Sequence, residues 1–302
     1  MIGVKPRKSA MGQNGGRPLT GDFMGYRSLL VQVDDTDQSD RRIRVAARLA
    51  RTYGADLQGV YLTATSEMTP FKAAMLPDSV VEGRLQETGK AQAHAENRFR
   101  AAVATEQLTA VSWTAPAGPA LAAAVLHLCY ADIAVVGQPL PEDADAAFAS
   151  DLLYGMLMEA GRPLLVVPHY GDYPVVGQNV LIAWKESRES TRAVCDALPL
   201  LKRAGKVVVM AIASPRDGAA AGSHSGAAIA AYLARHDIEV TVRPEVAEDI
   251  EVGELLLSRA ADLSTDLIVM GAYSRGRLAE RVLGGVTRLM LQSMTVPVLM
   301  SH

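Results

Sequence analysis

The chain has 302 residues, of which 49% are hydrophobic and 21% are charged, and its formal net charge is −3. This composition is typical of a soluble globular protein, and a nearly neutral charge gives no general reason to expect a nucleic acid or a membrane as partner. The length is sufficient for two domains of ordinary size.

Residues 1–24 carry four basic residues among glycine, proline, serine and asparagine, and no apolar run that could form the core of a signal peptide. We therefore predict a disordered tail over 1–24 and a cytoplasmic protein. The two cysteines, Cys129 and Cys195, each lie in apolar, helix-like sequence. Packing in the core is the predicted role of both, rather than a disulfide bond.

In the first half of the chain, short apolar runs alternate with segments of helical periodicity. The predicted strands cover 27–34, 57–62, 109–113, 133–136 and 164–167, and the predicted helices cover 43–54, 82–104 and 121–130. The long helix over 82–104 is expected to be mostly exposed, with Ala95, Phe99 and Val103 on its one apolar face.

The second half gives the same order of elements. Its predicted strands cover 180–184, 207–211, 239–242, 267–270 and 298–300, and its predicted helices cover 191–201, 227–236 and 252–261. The small residues of 218–226 predict a mobile surface loop. Strands that alternate with helices favour parallel pairing. The predicted fold class is therefore α/β, with two tandem doubly wound (Rossmann-like) domains over 25–170 and 175–302, each with helices on both faces of its sheet.

The two halves are repeats of one another. Residues 131–137 match 265–271 at a shift of 134, and 163–166 match 297–300 at the same shift. Between these anchors the second copy has four arginines, one glutamate and the adjacent pair Gly284-Gly285, whereas the first has four acidic residues, no base, and Ser150-Asp151 in place of the glycines. An anion would be attracted to the second loop and repelled by the first.

Gly271-Ala-Tyr-Ser274, followed after nine residues by Gly284-Gly285-Val286-Thr287, resembles the phosphate loop of the universal stress protein family in its tandem two-domain form. The resemblance implies an adenine-nucleotide site in the second domain, with ATP or a related nucleotide as ligand, with or without Mg²⁺. Gly271 would let the ribose lie against backbone, the amides of 284–286 would face phosphate, and Thr287 would add a hydroxyl. Glycines at a helix start suit this role physically, since they allow close approach to unpaired N–H groups.

The full set of binding residues that the resemblance implies is Ala183, Trp184, Lys185, Ile212, Met270, Gly271, Ser274, Gly284, Gly285, Val286 and Thr287. Three of them depart from the family pattern: Ser274 replaces a glycine, Gly285 replaces a hydroxyl residue, and Lys185 replaces an aspartate. The lysine could turn toward phosphate. Trp184 could stack on a base or pack between the domains.

The first domain keeps the family's acid as Asp34, but Leu140, Ser150 and Asp151 replace its phosphate loop, so no nucleotide is expected there. The cluster Arg41, Arg42 and Arg44 is interpreted as a solvated helix face.

Other chemistries have no motif in the sequence. The chain lacks a G-x-x-x-x-G-K-S/T loop and a G-x-G-x-x-G fingerprint, and its histidines and cysteines do not cluster at metal-ligand spacing. The segment Gly222-Ser-His-Ser-Gly226 has histidine where a nucleophile elbow needs serine. We therefore predict no catalytic residue, no metal site and at most slow ATP hydrolysis.

The leading prediction is a stress-response regulator that binds an adenine nucleotide through its second domain. The alternative is a scaffold or protein-interaction module in which both sites have decayed. There the closing strands of the two domains would pair, so that one chain imitates a dimer. A third possibility is nucleotide-dependent binding of an unidentified protein partner. Association of two chains into a further dimer is left open.

Overall fold

The computed structural model describes residues 25–64, 75–143, 145–213, 220–246, 251–272 and 284–302. The predicted tail over 1–24 therefore lies outside the described residues. The elements of the first half are β1 Ser28–Val33, α1 Ser39–Tyr53, β2 Asp56–Tyr61, α2 Asp78–Thr105, β3 Val111–Thr114, α3 Ala120–Leu128, β4 Ile133–Gly137, α4 Ala146–Glu159 and β5 Leu164–Val167. Those of the second half are β6 Asn179–Trp184, α5 Arg188–Leu201, β7 Lys206–Ala213, α6 Ala220–Ala234, β8 Thr241–Val246, α7 Val252–Asp262, β9 Leu267–Gly271, α8 Gly285–Ser293 and β10 Val298–Ser301.

All ten of these strands form one continuous sheet in the order β3-β2-β1-β4-β5-β10-β9-β6-β7-β8. Within each half the pairing is parallel, as the predicted fold class requires. The halves join where β5 and β10 pair antiparallel, with Val298 opposite Val166 and Met300 opposite Leu164. The predicted α/β fold with two repeated doubly wound units is confirmed, and so is the pairing of the closing strands.

Each face of the sheet is covered by four helices of the described part. One face packs against α1, α2, α5 and α6, and the other packs against α3, α4, α7 and α8. The strands are buried on both sides, which is why they are nearly continuous apolar runs in the sequence. In β1, for example, Leu29 and Val31 belong to the first layer of the core and Leu30 belongs to the second.

Local sequence explains how several helices begin and end. Helix α1 ends at Gly54, whose left-handed φ of 60° suits glycine. Helix α5 begins after Ser187, whose hydroxyl accepts a hydrogen bond from the amide of Ser190 at 3.2 Å. Helix α2 is exposed over most of its length, and its three buried positions, Ala95, Phe99 and Val103, are those that the sequence pattern predicted.

Two tyrosines of the first half hold the second half through backbone hydrogen bonds. The Tyr26 hydroxyl donates to the carbonyl of Asp196 at 2.8 Å, and the Tyr53 hydroxyl donates to the carbonyl of Pro199 at 3.0 Å. Both acceptors lie in α5, and the two rings meet edge to face. Burial raises the pKa of Tyr26 well above its usual value.

Several sequence-based predictions differ from the structure. Helix α4 was not predicted, and α6 covers 220–226, where the sequence predicted a loop. The Ala, Gly and Ser residues that begin α6 give no apolar periodicity, so the pattern could not distinguish a helix there. Strand β8 begins later and runs further than predicted. Both cysteines are free and exposed, so the predicted core packing of Cys129 and Cys195 is wrong.

Candidate functional site

The candidate site lies where strands of the second half end. Helix α8 joins the parallel strands β9 and β10, so it runs opposite to them and its N-terminus lies at their carboxyl edge. Strand β6 ends at the same edge because it is parallel to β9. The fold therefore brings the segment after β6 and the start of α8 to one side of the sheet, where open α/β sheets bind ligands.

Gly271, the last residue of β9, packs tightly against the first turn of α5. A Cβ atom at this position would lie 2.5 Å from the backbone nitrogen of Ser190 and 2.6 Å from the carbonyl carbon of Glu189. Glycine is therefore required here by the contact between strand and helix, whether or not a ligand binds. The preceding Met270 is buried in the core.

In contrast, no packing contact within the described part of the chain requires glycine at Gly284 or Gly285. Gly284 precedes α8 with an ordinary φ of −55° and, as a glycine, has no side chain to cap the helix. A Cβ atom added to either glycine would meet no described atom within 4 Å. No atom of the described residues therefore covers the start of α8 on the side of these glycines. Val286 packs partly against the core, and Thr287 is buried with 3% of its surface exposed.

The other predicted binding residues are only partly brought together. Trp184 and Lys185 line an open cleft of about 530 Å³, together with Glu186, Ser187, Arg188, Glu189 and Thr191. Trp184 packs against the first core layer, whereas Ala183 faces the second. For Ile212 only the position in β7 is described, and Ser274 lies outside the described residues, as do the arginines at 275, 277 and 281.

The equivalent loop of the first half has become helix. Helix α4 begins at Ala146, so Ser150 and Asp151, the counterparts of Gly284 and Gly285, lie inside it. Backbone N–H groups within a helix are already hydrogen bonded and cannot receive phosphate. Asp143 and Asp145 precede the helix and are exposed, which adds negative charge at its start.

Asp34, the acid that the first half retains, is engaged by Arg42. The two side chains form an ion pair, and Arg42 has 3% of its surface exposed. The hydroxyl and amide of Thr36 also donate to Asp34, at 2.5 and 3.0 Å. The interpretation of Arg42 as part of a solvated helix face is therefore wrong. Its spacing to the buried Val45 and Ala46, three and four positions later on α1, was the available signal, but arginine is so seldom buried that composition alone argued against it.

Two equivalent aspartates, one in each half, explain part of the internal repeat. The Asp266 carboxylate accepts hydrogen bonds from the amides of Gly177, Gln178 and Asn179 at 2.8 to 3.1 Å. Asp132 accepts from the amides of Arg27 and Ser28 at 2.6 and 3.0 Å. Asp266, just before β9, thus holds the start of β6, and Asp132, just before β4, holds the start of β1 in the same way. Sequence comparison found the matching segments but not this structural reason for them.

Among the described residues, no group of three or more His, Cys, Asp or Glu side chains could hold a metal ion. No helix in the same part of the chain is long and apolar enough to cross a membrane.

The fold and the strand-end site define a tandem α/β protein of the doubly wound class. The model of the universal stress protein family matches residues 25–137 and 177–302, so the chain belongs to that family. The family is generally non-catalytic, and membership fits a role in stress response. The chain is similar in structure to a universal stress protein from Archaeoglobus fulgidus, with a TM-score of 0.69 and 15% identity over 91% of this chain and 97% of that one.

A functionally unknown protein from Pseudomonas aeruginosa PAO1 is also similar, with a TM-score of 0.58 and 14% identity over 91% of this chain and 92% of that one. At such identities the likeness concerns the fold alone. A comparison with curated protein sequences gives no match.

Proposed function

We propose that this chain is a cytoplasmic regulator that binds ATP or a related adenine nucleotide through its second domain, over 175–302, and responds to stress without efficient catalysis. The observation that carries the proposal is the open start of α8. Within the described residues its glycines are needed neither for packing nor for an unusual backbone angle, and Gly284 at its N-cap has no side chain to cap the first amides. Such a helix start attracts phosphate through its N–H groups and its dipole.

The contrast between the two halves supports placing the ligand in the second. In the first half the equivalent backbone is inside α4 and is preceded by acids. In the second half, Arg288 is exposed in the first turns of α8, and Lys185 and Arg188 are exposed beside the cleft at the end of β6. A cleft of about 530 Å³ falls in the size range of small-molecule sites. Glu186 and Glu189 also line the cleft, so these three basic residues leave one net positive charge at this edge, which favours an anionic ligand.

We expect this site to hydrolyse ATP slowly or not at all. Glu186 and Glu189 line the cleft, but the described residues contain no group of three or more His, Cys, Asp or Glu side chains that could hold a metal ion, and no histidine lines the cleft. A turnover faster than about one per second, near the low end of ordinary enzymes, would contradict this part of the proposal. The two unpaired, exposed cysteines agree with a reducing compartment such as the cytoplasm.

The alternative function is a scaffold that binds no nucleotide. One observation favours it: Gly271 is already explained by its contact with α5, so its presence does not require a ligand. The continuous sheet through β5 and β10 also gives the chain the form of a ready-made dimer. Under this alternative an unidentified protein would be the only partner.

Calorimetric titration separates the two functions. Nucleotide-stripped protein would be titrated with Mg-ATP, AMP, adenosine and GTP. The proposal predicts saturable binding of adenine nucleotides at about one site per chain, with GTP weaker. Absence of heat and of competition for all four compounds would favour the scaffold.

A further inference from the structure

The buried side chain of Arg42 is surrounded by polar groups in the first half of the molecule. Its guanidinium donates to the carbonyl of Gln32 at 2.6 Å and to the hydroxyl of Ser39 at 3.2 Å, besides its ion pair with Asp34. The same group lies against Gly137, where an added Cβ would be 2.5 Å from its Nη1. The arginine therefore fills the space between the ends of β1 and β4 and the start of α1.

The equivalent space in the second half has no such side chain. Leu29 pairs with Ile133 in the first sheet and Val180 pairs with Leu267 in the second, which makes Ala193 the counterpart of Arg42. By the same register Lys185 is the counterpart of Asp34, so both members of the ion pair are absent there. The backbone of α5 packs directly on Gly271 instead. The fold therefore does not need an arginine at this position.

The space that Arg42 occupies has the properties of a small-molecule site. The acceptors around it are a backbone carbonyl, a hydroxyl and a carboxylate, which suit a ligand rich in N–H and O–H donors. The cavity left beside the arginine measures about 70 Å³, which is too small for a nucleoside. A cavity of about 750 Å³ adjoins it and shares Thr63 and Ala64 in its wall.

Charge limits what could enter this space. Asp35, Asp143 and Asp145 line the small cavity together with Asp34. Removal of the arginine would leave four carboxylates and no guanidinium among the residues that line this small cavity. A phosphate would be repelled there, whereas an uncharged nucleoside would not.

We propose that Arg42 is an internal occupant of the first domain's ligand position, and that it is the residue that confines ligand binding to the second domain. Its guanidinium makes the hydrogen bonds that the hydroxyl and amino groups of a nucleoside would otherwise make. The first statement stands on the contacts of Arg42 alone, and only the second rests on the proposed function.

The test is Arg42→Ala, which copies the residue of the second domain into the first. Adenosine is titrated into the full chain, up to millimolar concentration, and the number of sites is compared with that of the unaltered protein. The proposal predicts a gain of one adenosine site per chain, with no matching gain for ATP. Arg44→Ala, on the same helix, removes the same charge and should add no site.

This experiment can overturn the proposed function and the proposed role of Arg42 independently of each other. If the unaltered protein binds nothing but the variant gains a site, the proposed function fails and the role of Arg42 stands. If the folded variant gains no site, the role of Arg42 is overturned whatever the unaltered protein binds. Should Arg42→Ala unfold, Asp34→Asn combined with Arg42→Ala removes the carboxylate that the first change leaves unpaired, and the same gain is required of it.

Discussion

Arg42 and Gly137 are in direct contact, and the absence of a side chain on the glycine is what lets the guanidinium lie over the end of β4. The matching glycine of the second half, Gly271, is in contact with helix backbone instead. One position of the repeat therefore keeps glycine for two different reasons. Gly137 leaves room for the guanidinium of Arg42, and Gly271 leaves room for the backbone of α5.

These contacts predict unequal costs for the same substitution. Gly271→Ala should lower the free energy of unfolding by about 2 kcal/mol, because the new Cβ meets backbone that cannot move without shifting α5. Gly137→Ala should cost less, since the crowding atom is the end of a side chain. Urea denaturation of both variants measures the difference.

A double-mutant cycle isolates the contact in the first half. In an Arg42→Ala background, Gly137→Ala should lose most of its cost, because the atom that the new Cβ meets is gone. The cost of Gly271→Ala should be unchanged in that background. Equal costs at the two glycines, or a cost at Gly137 that ignores Arg42, would contradict this account.

The carboxylate of Asp266 predicts a second effect on stability. It accepts three backbone hydrogen bonds, so Asp266→Ala should lower the free energy of unfolding by about 2 kcal/mol. Asp132→Ala, which removes two such bonds, should cost less. The nearby surface change Asp262→Ala breaks only an exposed ion pair and should cost about 0.5 kcal/mol or less. Thermal or urea denaturation ranks the three, and a reversed order would reject the interpretation.

The buried Tyr26, between the two halves, predicts that the stability of the fold depends on pH in the alkaline range. Tyr26→Phe removes the hydrogen bond to the Asp196 carbonyl and should cost about 1 kcal/mol at neutral pH. Tyrosine in the unfolded chain ionises near pH ~10, whereas burial keeps Tyr26 protonated in the fold. The stability that Tyr26 adds is therefore complete below that pH and declines as the pH rises toward the raised pKa of the folded state.

Denaturation measured across this alkaline range checks the sign. The unaltered protein should lose stability more steeply with rising pH than Tyr26→Phe does. Tyr170→Phe is the matched control, since it removes the same hydroxyl from an exposed tyrosine. Parallel pH profiles for the unaltered protein and Tyr26→Phe would show that this hydroxyl is not protected by burial.

The lysine after β6 predicts a distinction between ligands. If Lys185 contacts phosphate, Lys185→Asp should weaken ATP by about tenfold or more and adenosine much less. Lys202→Asp makes the same charge change at the other end of α5 and should leave both affinities nearly unchanged. Equal loss of ATP and adenosine after Lys185→Asp, or a gain in affinity, would reject a phosphate contact.

The architecture could be predicted from the sequence because its signals are local and repeated. Apolar runs such as 133–136 and 267–270 are strands buried on both faces, and the helices between them force parallel pairing. The pairing of β5 with β10 followed from the two closing strands being apolar and alike. The start of helix α6, over 220–226, was missed because its small residues carry no periodicity. Ile229 and Leu233, which pack in the core, lie in the part of the helix that was predicted.

The site could be predicted only where it depends on backbone. Gly284 and Gly285 mark a helix start by sequence alone, and the structure has α8 begin there. The role of Arg42 was not accessible from the sequence. Its burial depends on which face of α1 meets β4, and on the glycine that leaves room for it. The exposure of Cys129 and Cys195 likewise depends on how each helix is rotated against the sheet.

The measurement that tests the central claim most directly is calorimetric titration of Gly285→Asp with Mg-ATP, beside the unaltered protein. This change introduces at the start of α8 the acid that the first half carries as Asp151. Gly83→Asp, in the exposed part of α2, is the matched control with the same change of charge. The account predicts that Gly285→Asp abolishes binding while Gly83→Asp retains it. Full ATP binding by Gly285→Asp would show that α8 does not hold phosphate and would contradict the assignment of the site.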